Sequence, residues 1–172
     1  MHQLHLLRHA KSGWDEAVED HERKLSRRGR EAARRVGESL PAALGAIDLV
    51  LCSTSMRTRE TAKLVLAGFA PPPRILYEEA LYLAGHAALM SRLRQLDESA
   101  GTVMVIGHNP GLHELTLTLT LAAPDSPRYR ALAAGKFPTT ARASFAIESA
   151  WANLARSRHA LTDYVTAKSL EQ

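Results

Sequence analysis

Five short apolar runs divide the chain, and between them apolar residues return every three or four positions. The runs are "LHLL" (4–7), "IDLVLC" (47–52), "RILY" (74–77), "TVMVIG" (102–107) and "ASFAIE" (143–148). Runs of this length that are rich in leucine and β-branched residues predict buried strands. The helical spacing at 26–40, 57–68 and 85–99 predicts three helices, the first of them capped by Ser26.

The segment "LTLTLTLAA" (115–123) fits both the two-residue period of a strand and the three-to-four-residue period of a helix. It alternates leucine and threonine like a strand, yet Leu112, Leu115 and Leu119 also lie on one helical stripe. Pro110 stands just before it, and proline is common in the first turn of a helix. We therefore predict a helix here.

Strands that alternate with helices predict a mostly parallel central sheet covered on both faces, a three-layer α/β/α architecture. A length of 172 residues fits a single domain spanning 1–172, since domains average roughly 150 residues. "PPPR" (71–74) is a stiff connector, because too little chain lies on either side for a domain boundary. The C-terminal "HALTDYVTAKSL" (159–170) receives no assignment.

The composition, 45% hydrophobic and 23% charged, is that of a soluble globular protein. No apolar run approaches the roughly 18 residues of a membrane span, so no membrane partner is expected. The N-terminus lacks a signal-peptide pattern, and the single cysteine suits a reducing compartment. These features predict a cytoplasmic protein.

The formal net charge is +4, and much of it comes from the basic segment 22–35. A solvated helix face is the more frequent meaning of such a run; a surface that steers an anionic partner is the alternative. Nucleic acid is not expected as a partner. The chain has only nine aromatic residues, and none is interleaved with the basic run as base stacking would require.

Three of the predicted strands end in polar residues. The first runs into Arg8-His9, the second into Ser53 and then Arg57, and the fourth into His108-Asn109. Ligands of doubly wound sheets bind outside the carboxyl ends of the strands. If these strands are neighbours, two arginines and two histidines converge, with no carboxylate from the same loops. Such a site suits an anion, above all a phosphate dianion.

Chemistry assigns the roles in this site. An imidazole attacks phosphorus only when it is neutral, and its ordinary pKa is about 6.5. Neighbouring arginines lower that pKa by like-charge repulsion. His9 beside Arg8 and Arg57 is therefore expected to be a nucleophile near neutral pH.

Three separated segments carry these residues in order: "LLRHAKS", "STSMRTRETA" and "VIGHNPGL". Together they resemble the motifs of the histidine phosphatase superfamily, the phosphoglycerate mutase-like group. Within it, "DHERKLSRRG" and "GHNPGLHEL" resemble the SixA-type phosphohistidine phosphatases. The resemblance runs from about residue 3 to the end, and hydrophobic pattern alone carries its last third. It implies a phosphoglycerate mutase-like fold.

The resemblance also implies roles for individual residues. His9 would be the nucleophile that forms a phosphohistidine intermediate, and Arg8, Arg57 and His108 would hold the phosphoryl group. Supporting residues that are expected to bind the substrate are Arg23, Ser53 and Asn109. Neither a metal nor another cofactor is implied.

One departure from the family pattern bears on the substrate. Mutases and many relatives carry an acid in an "LxE" segment, whereas this chain has Leu81-Tyr82-Leu83, with leucine in place of the glutamate. An alkyl alcohol needs a proton in order to leave, but the imidazole of a phosphohistidine is a far better leaving group. The departure therefore favours a P–N bond as substrate, although Glu78, Glu79 and Asp20 stay open as acids.

Two other residues have competing interpretations. Cys52 precedes Arg57 with four residues between them, whereas the loop of cysteine phosphatases has five, so we expect Cys52 to complete a strand. Trp14 follows the site loop; packing is its more frequent role, and lining the mouth of the pocket is the alternative.

The sequence thus predicts a metal-independent phosphatase that acts through His9, with phosphohistidine on a phosphotransfer protein of a signalling pathway as its substrate. Two alternatives stay open: a phosphomonoesterase for a small phosphorylated metabolite, and a non-catalytic module that binds phosphate or a phosphoprotein. A monomer or weak dimer is expected.

Overall fold

The computed structural model describes residues 1–14 and 17–170. Its strands are β1 (His2–Arg8), β2 (Leu49–Ser53), β3 (Arg74–Glu78), β4 (Thr102–Gly107), β5 (Thr120–Leu121), β6 (Arg142–Ile147) and β7 (His159–Val165). Its helices are α1 (Arg27–Leu44), α2 (Met56–Val65), α3 (His86–Arg94), α4 (Gly111–Leu119), α5 (Pro127–Ala134) and α6 (Ala167–Leu170). Short 3₁₀ helices lie at Asp20–Glu22, Glu79–Leu81 and Trp151–Arg156.

Within the described residues the strands form one sheet in the order β3-β2-β4-β1-β6-β7-β5. Strand β6 runs antiparallel to both of its neighbours, and the other pairings are parallel. The prediction of a mostly parallel α/β sheet is confirmed. The assignment of residues 1–172 to one domain stays a prediction.

Alternate residues of each strand enter different layers of the core, because successive side chains point to opposite faces of a sheet. Leu6 packs on the face covered by α3 and α4, together with the fully buried Trp151. Leu7 packs on the other face, against α1 and α2. Helices thus cover both faces of the sheet, as the three-layer prediction requires.

Local signals set the helix boundaries. The side chain of Ser26 accepts a hydrogen bond from the N–H of Gly29 at 3.0 Å and caps α1 as predicted. The ambiguous leucine–threonine segment is helical up to Leu119, because Leu112, Leu115 and Leu119 face the core. The chain then becomes the short strand β5.

The sequence analysis assigned neither the strand β7 nor the helices α5 and α6. None of the helices among the described residues has the length and apolarity that crossing a bilayer requires.

The topology brings the three polar strand ends together. Strands β2, β4 and β1 are adjacent, and Arg8 pairs with Gly107, the residue before His108. Helix α1 touches the loop that follows β1, because a Cβ on Gly29 would lie 2.0 Å from the carbonyl oxygen of Lys11. A glycine is therefore needed for this close approach, which fixes the loop beside His9.

Candidate active site

A cavity of about 410 Å³ opens at the carboxyl ends of β1, β2 and β4. Six of the seven residues predicted for the site line its wall: Arg8, His9, Arg23, Arg57, His108 and Asn109. Other lining residues include Lys11, Trp14, Asp20, Leu83 and Thr139. The residues predicted from distant motifs therefore do converge.

His9 is held as a neutral ring in a single tautomer. The ring is buried, and its Nδ1–H donates to the carbonyl oxygen of Ala10 at 2.7 Å. A carbonyl only accepts, so the lone pair of the neutral ring lies on Nε2. Burial, and then the charges of Arg8 and Arg57, lower the pKa of His9 to about 4. The sequence analysis predicted this lowering from the arginines alone, but burial is its larger cause.

Two guanidinium groups present unsatisfied donors in this site. The Nε atoms of Arg8 and Arg57 are buried and have no hydrogen-bond partner. Both outer nitrogens of Arg57 are engaged by Asp20: Nη1 donates to its carbonyl oxygen at 2.7 Å and Nη2 to its carboxylate at 3.0 Å. Both residues line the cavity, where a guanidinium group supplies N–H donors and positive charge for the oxygens of a phosphoryl group.

His108 faces His9, with the ring centroids 5.3 Å apart. Its Nδ1 lies 3.5 Å from Nη2 of Arg57, which only donates, so Nδ1 carries the lone pair and Nε2–H donates to Oγ of Ser53 at 2.7 Å. Burial, then the neighbouring His9 and Arg57, lower the pKa of His108 to about 3.

Ser53 was predicted to bind substrate, but the structure places it elsewhere. It is fully buried behind His108 and is absent from the cavity wall. Ser53 therefore orients His108 from behind the cavity wall.

Asp20 contributes a carboxylate that the three strand-end loops do not. Its Oδ1 accepts from Nε of Arg23 at 3.0 Å, and its Oδ2 accepts from Arg57 and from the hydroxyl of Tyr82. The Tyr82 hydrogen bond, followed by the contact with Arg57, lowers the pKa of Asp20 to about 2. The carboxylate is therefore ionised, and it orients both arginines.

The other two candidate acids lie away from the cavity wall. Glu78 is paired with Arg92 at 2.7 Å, and Glu79 is exposed. Leu83, which the family resemblance places at the position of the acid, does line the cavity.

Arg23 and Asn109 both line the cavity, and their role in binding substrate stays a prediction. Nη1 of Arg23 donates to Oγ of Ser12 at 2.7 Å, and the guanidinium lies over the ring of Trp14. Nδ2 of Asn109 donates to the carbonyl oxygens of Lys136 and Phe137 at 2.9 and 2.8 Å. Asn109 thereby ties the segment before β6 to the site. The contact between Arg23 and Trp14 forms only in the tertiary structure, and no sequence pattern predicted it.

Cys52 is excluded as a nucleophile. It is buried inside β2, and burial raises the pKa of its thiol to about 12. The thiolate that a cysteine phosphatase needs does not form there at neutral pH. Within residues 1–14 and 17–170, no group of three or more His, Cys, Asp or Glu side chains is arranged to hold a metal ion.

Comparison with known proteins places the chain in a family. Residues 4–81 match the model of the histidine phosphatase superfamily (branch 1). An uncharacterised protein of Mycobacterium tuberculosis is 33% identical over 148 residues, covering 86% of this chain and 91% of the relative. The chain belongs to the histidine phosphatase superfamily. It is therefore similar in sequence, and not only in fold, to proteins of this type.

Solved structures agree with this assignment. A protein from Nakamurella multipartitia, provisionally named phosphohistidine phosphatase SixA, superposes on this histidine phosphatase with a TM-score of 0.83 and 30% identity, covering 96% of this chain and 95% of the other. A SixA protein complexed with tungstate has a TM-score of 0.77, 98% and 99% coverage and 21% identity, so it shows the shared fold. The resemblance to the SixA type, and the phosphoglycerate mutase-like fold it implied, are confirmed.

Proposed function

We propose that this phosphatase hydrolyses phosphohistidine on a phosphotransfer protein, without a metal ion, through a covalent phosphohistidine on His9. One observation carries the proposal. The neutral ring of His9, with its lone pair on Nε2, lies in a cavity that Arg8 and Arg57 also line with their guanidinium donors. A nucleophile and donors for phosphoryl oxygens are therefore present together, as phosphoryl transfer requires.

The first step transfers the phosphoryl group to His9. Nε2 attacks phosphorus and forms a P–N bond, while the bond from phosphorus to the substrate imidazole breaks and its electron pair returns to that ring. When the other nitrogen of the substrate ring carries a proton, the ring leaves as neutral imidazole and needs no acid from the enzyme. The arginine donors stabilise the charge on the equatorial oxygens.

The second step releases phosphate. A water molecule attacks phosphorus, the bond between phosphorus and Nε2 breaks, and the electron pair returns to His9. The proton lost by the water passes to solvent or to the phosphate product, so the enzyme returns to its starting state. The carboxylate of Asp20 keeps Arg57 oriented through both steps.

The acids available near the cavity support a P–N bond as the substrate. Asp20, the carboxylate in the described cavity wall, is ionised, with a pKa of about 2, and Leu83 has no proton to give. In such a site the alcohol of an alkyl phosphate would have to leave as an alkoxide. Hydrolysis of phosphorylated metabolites is therefore the less favoured function. The cytoplasmic location, the weak oligomeric state and the signalling role stay predictions.

A substrate panel tests the proposal. Wild type and a His9→Ala variant are assayed in parallel, in EDTA, on free phosphohistidine, a phosphohistidine protein, sugar phosphates and nucleotides. We expect turnover of the phosphohistidine substrates by wild type, and none by His9→Ala. Faster turnover of sugar phosphates would establish the phosphomonoesterase, and phosphate binding without turnover would establish the binding module.

A further inference from the structure

Large apolar side chains stand exposed around the mouth of the catalytic cavity. Trp14 and Leu83 line this cavity although they are 78% and 54% exposed, and Val18, 43% exposed, lines the groove beside it. Single exposed apolar residues are ordinary on a protein surface. A group of exposed apolar residues around a strongly cationic pocket is unusual, since a small phosphorylated metabolite would gain little from apolar groups at the entrance.

Trp14 is held in place, not merely exposed. The guanidinium of Arg23 lies 3.6 Å from the centroid of its ring. Arg23 is itself fixed by hydrogen bonds to Asp20 and Ser12. A rigid, exposed aromatic side chain loses little conformational entropy on contact, which is the property of residues that dominate protein interfaces.

Leu83 is exposed, and its backbone adopts an unfavourable conformation. Its φ of 52° lies in the left-handed region, which is unfavourable for leucine. The next residue, Ala84, packs closely against the start of α4, because a Cβ on Gly111 would lie 2.0 Å from the carbonyl oxygen of Ala84. Strain that the surroundings impose at a site is a sign of function. Here its result is an aliphatic side chain at the rim of the cavity.

Among the described residues that line the cavity and the adjoining groove, the charge is mainly positive. Exposed Lys11 lines the catalytic cavity, and exposed Lys24 and Arg27 line the adjoining groove. Among the described lining residues of the two, Asp20 is the one carboxylate, and it is engaged by arginines. Exposed Glu19 and Glu22 flank Asp20 in the chain without lining either space; Glu22 is hydrogen-bonded to His21, and Arg27 lies 3.4 Å from Glu31. This surface therefore complements an acidic partner.

We propose that Trp14, Leu83, Lys11, Lys24 and Arg27, here called the docking rim, bind a phosphorylated protein whose phosphohistidine is flanked by an apolar side chain and by carboxylates. The inference rests on the proposed function and adds the surface that selects the protein. The phosphohistidine enters the cavity, while Trp14 and Leu83 contact the apolar side chain and the basic groups face the carboxylates.

The test compares two substrates that share the same chemistry. One is free phosphohistidine; the other is an acidic histidine-containing phosphotransfer domain phosphorylated with phosphoramidate. For each variant, kcat/KM on the domain is divided by kcat/KM on the free amino acid, so changes inside the catalytic pocket cancel. The variants are Trp14→Ala and Leu83→Asn, since asparagine tolerates the left-handed backbone and removes only the apolar group.

Matched controls carry the same changes far from the rim. Leu121→Asn removes a leucine of similar exposure, 62% against 54% for Leu83, from β5, and Arg158→Glu matches Lys24→Glu. We expect the ratio to fall tenfold or more in Trp14→Ala and Leu83→Asn, and to stay within twofold in Leu121→Asn. Lys24→Glu should lower the ratio and flatten its dependence on salt, whereas Arg158→Glu should not.

The outcomes separate the two proposals. If wild type hydrolyses both substrates but the ratio stays unchanged in Trp14→Ala and in Leu83→Asn, the docking rim is refuted and the proposed function stands. If wild type hydrolyses neither substrate, the proposed function fails, and the docking rim fails with it.

Discussion

Acidification should weaken the fold, because three buried histidines stay neutral in the folded chain. Burial is the main cause that lowers the pKa of His5 and His9 to about 4 and that of His108 to about 3. An unfolded chain protonates such rings near pH 6.5. Between pH 6.5 and about 4 the unfolded state therefore binds more protons. The free energy of unfolding accordingly rises with pH across this window and levels off above it.

The size of the effect follows from these pKa values. At pH 5 each neutral ring accounts for about 2 kcal/mol of stability lost relative to pH 8. Three such rings give a loss of about 6 kcal/mol, which is comparable with the whole stability of many domains. Asp20 changes the free energy of unfolding outside this window. The Tyr82 hydroxyl and Arg57 lower its pKa to about 2, so the stability that its ionised form contributes is lost only below about pH 4.

Urea unfolding followed by circular dichroism at pH 8, 6.5, 5.5 and 5 measures this dependence. In a His9→Asn variant one titrating ring is gone, so about a third of the loss between pH 8 and 5 should disappear. Leu121→Asn, which changes an exposed residue without a titrating group, is the control and should keep the wild-type slope. Equal free energies of unfolding at pH 8 and pH 5, or a His9→Asn variant with the wild-type slope, would refute the reasoning.

Four substitutions test the site itself. Arg57→Lys keeps the charge but removes the planar guanidinium with its paired N–H donors from the cavity wall, so kcat/KM on phosphohistidine should fall on the order of 10²–10³-fold with an unchanged circular dichroism spectrum; near-wild-type activity would contradict this role. Ser53→Ala leaves Nε2–H of His108 without its acceptor, and urea unfolding should show a loss of about 1–3 kcal/mol together with a lower kcat. Asp20→Asn removes a negative charge from the cavity, so inorganic phosphate should inhibit at lower concentration while kcat falls; weaker inhibition would count against the assignment. Cys52→Ser should keep kcat/KM, because the buried thiol stays protonated, and a dead Cys52→Ser enzyme that folds normally would reopen the cysteine mechanism.

Much of the fold was readable from the sequence because the central strands, such as β2 and β4, are buried on both faces. A continuous apolar run such as "TVMVIG" is best buried at the centre of a parallel sheet that is covered on both faces, and this run forms the central strand β4. The convergence of Arg8, Arg57 and His108 follows from the same fact, since the carboxyl ends of adjacent parallel strands share an edge.

Other features depend on contacts that no local pattern encodes. The strand β7 alternates buried and exposed positions over only part of its length, so its pairing with β6 decides its structure. The hydrogen bond between Tyr82 and Asp20 joins residues 62 positions apart, and their side chains meet only once the sheet is formed. The burial that dominates the pKa of His9 is likewise a property of the folded chain.

Trapping the covalent intermediate is the most direct test of the central claim. Wild type is mixed with a ³²P-labelled phosphohistidine protein, quenched in alkali during turnover, and digested for peptide mapping. The label should appear on the peptide that contains His9, be lost on brief acid treatment, as a phosphohistidine is, and be absent from His9→Ala. Continued turnover with no label on His9, or turnover by His9→Ala, would contradict the account.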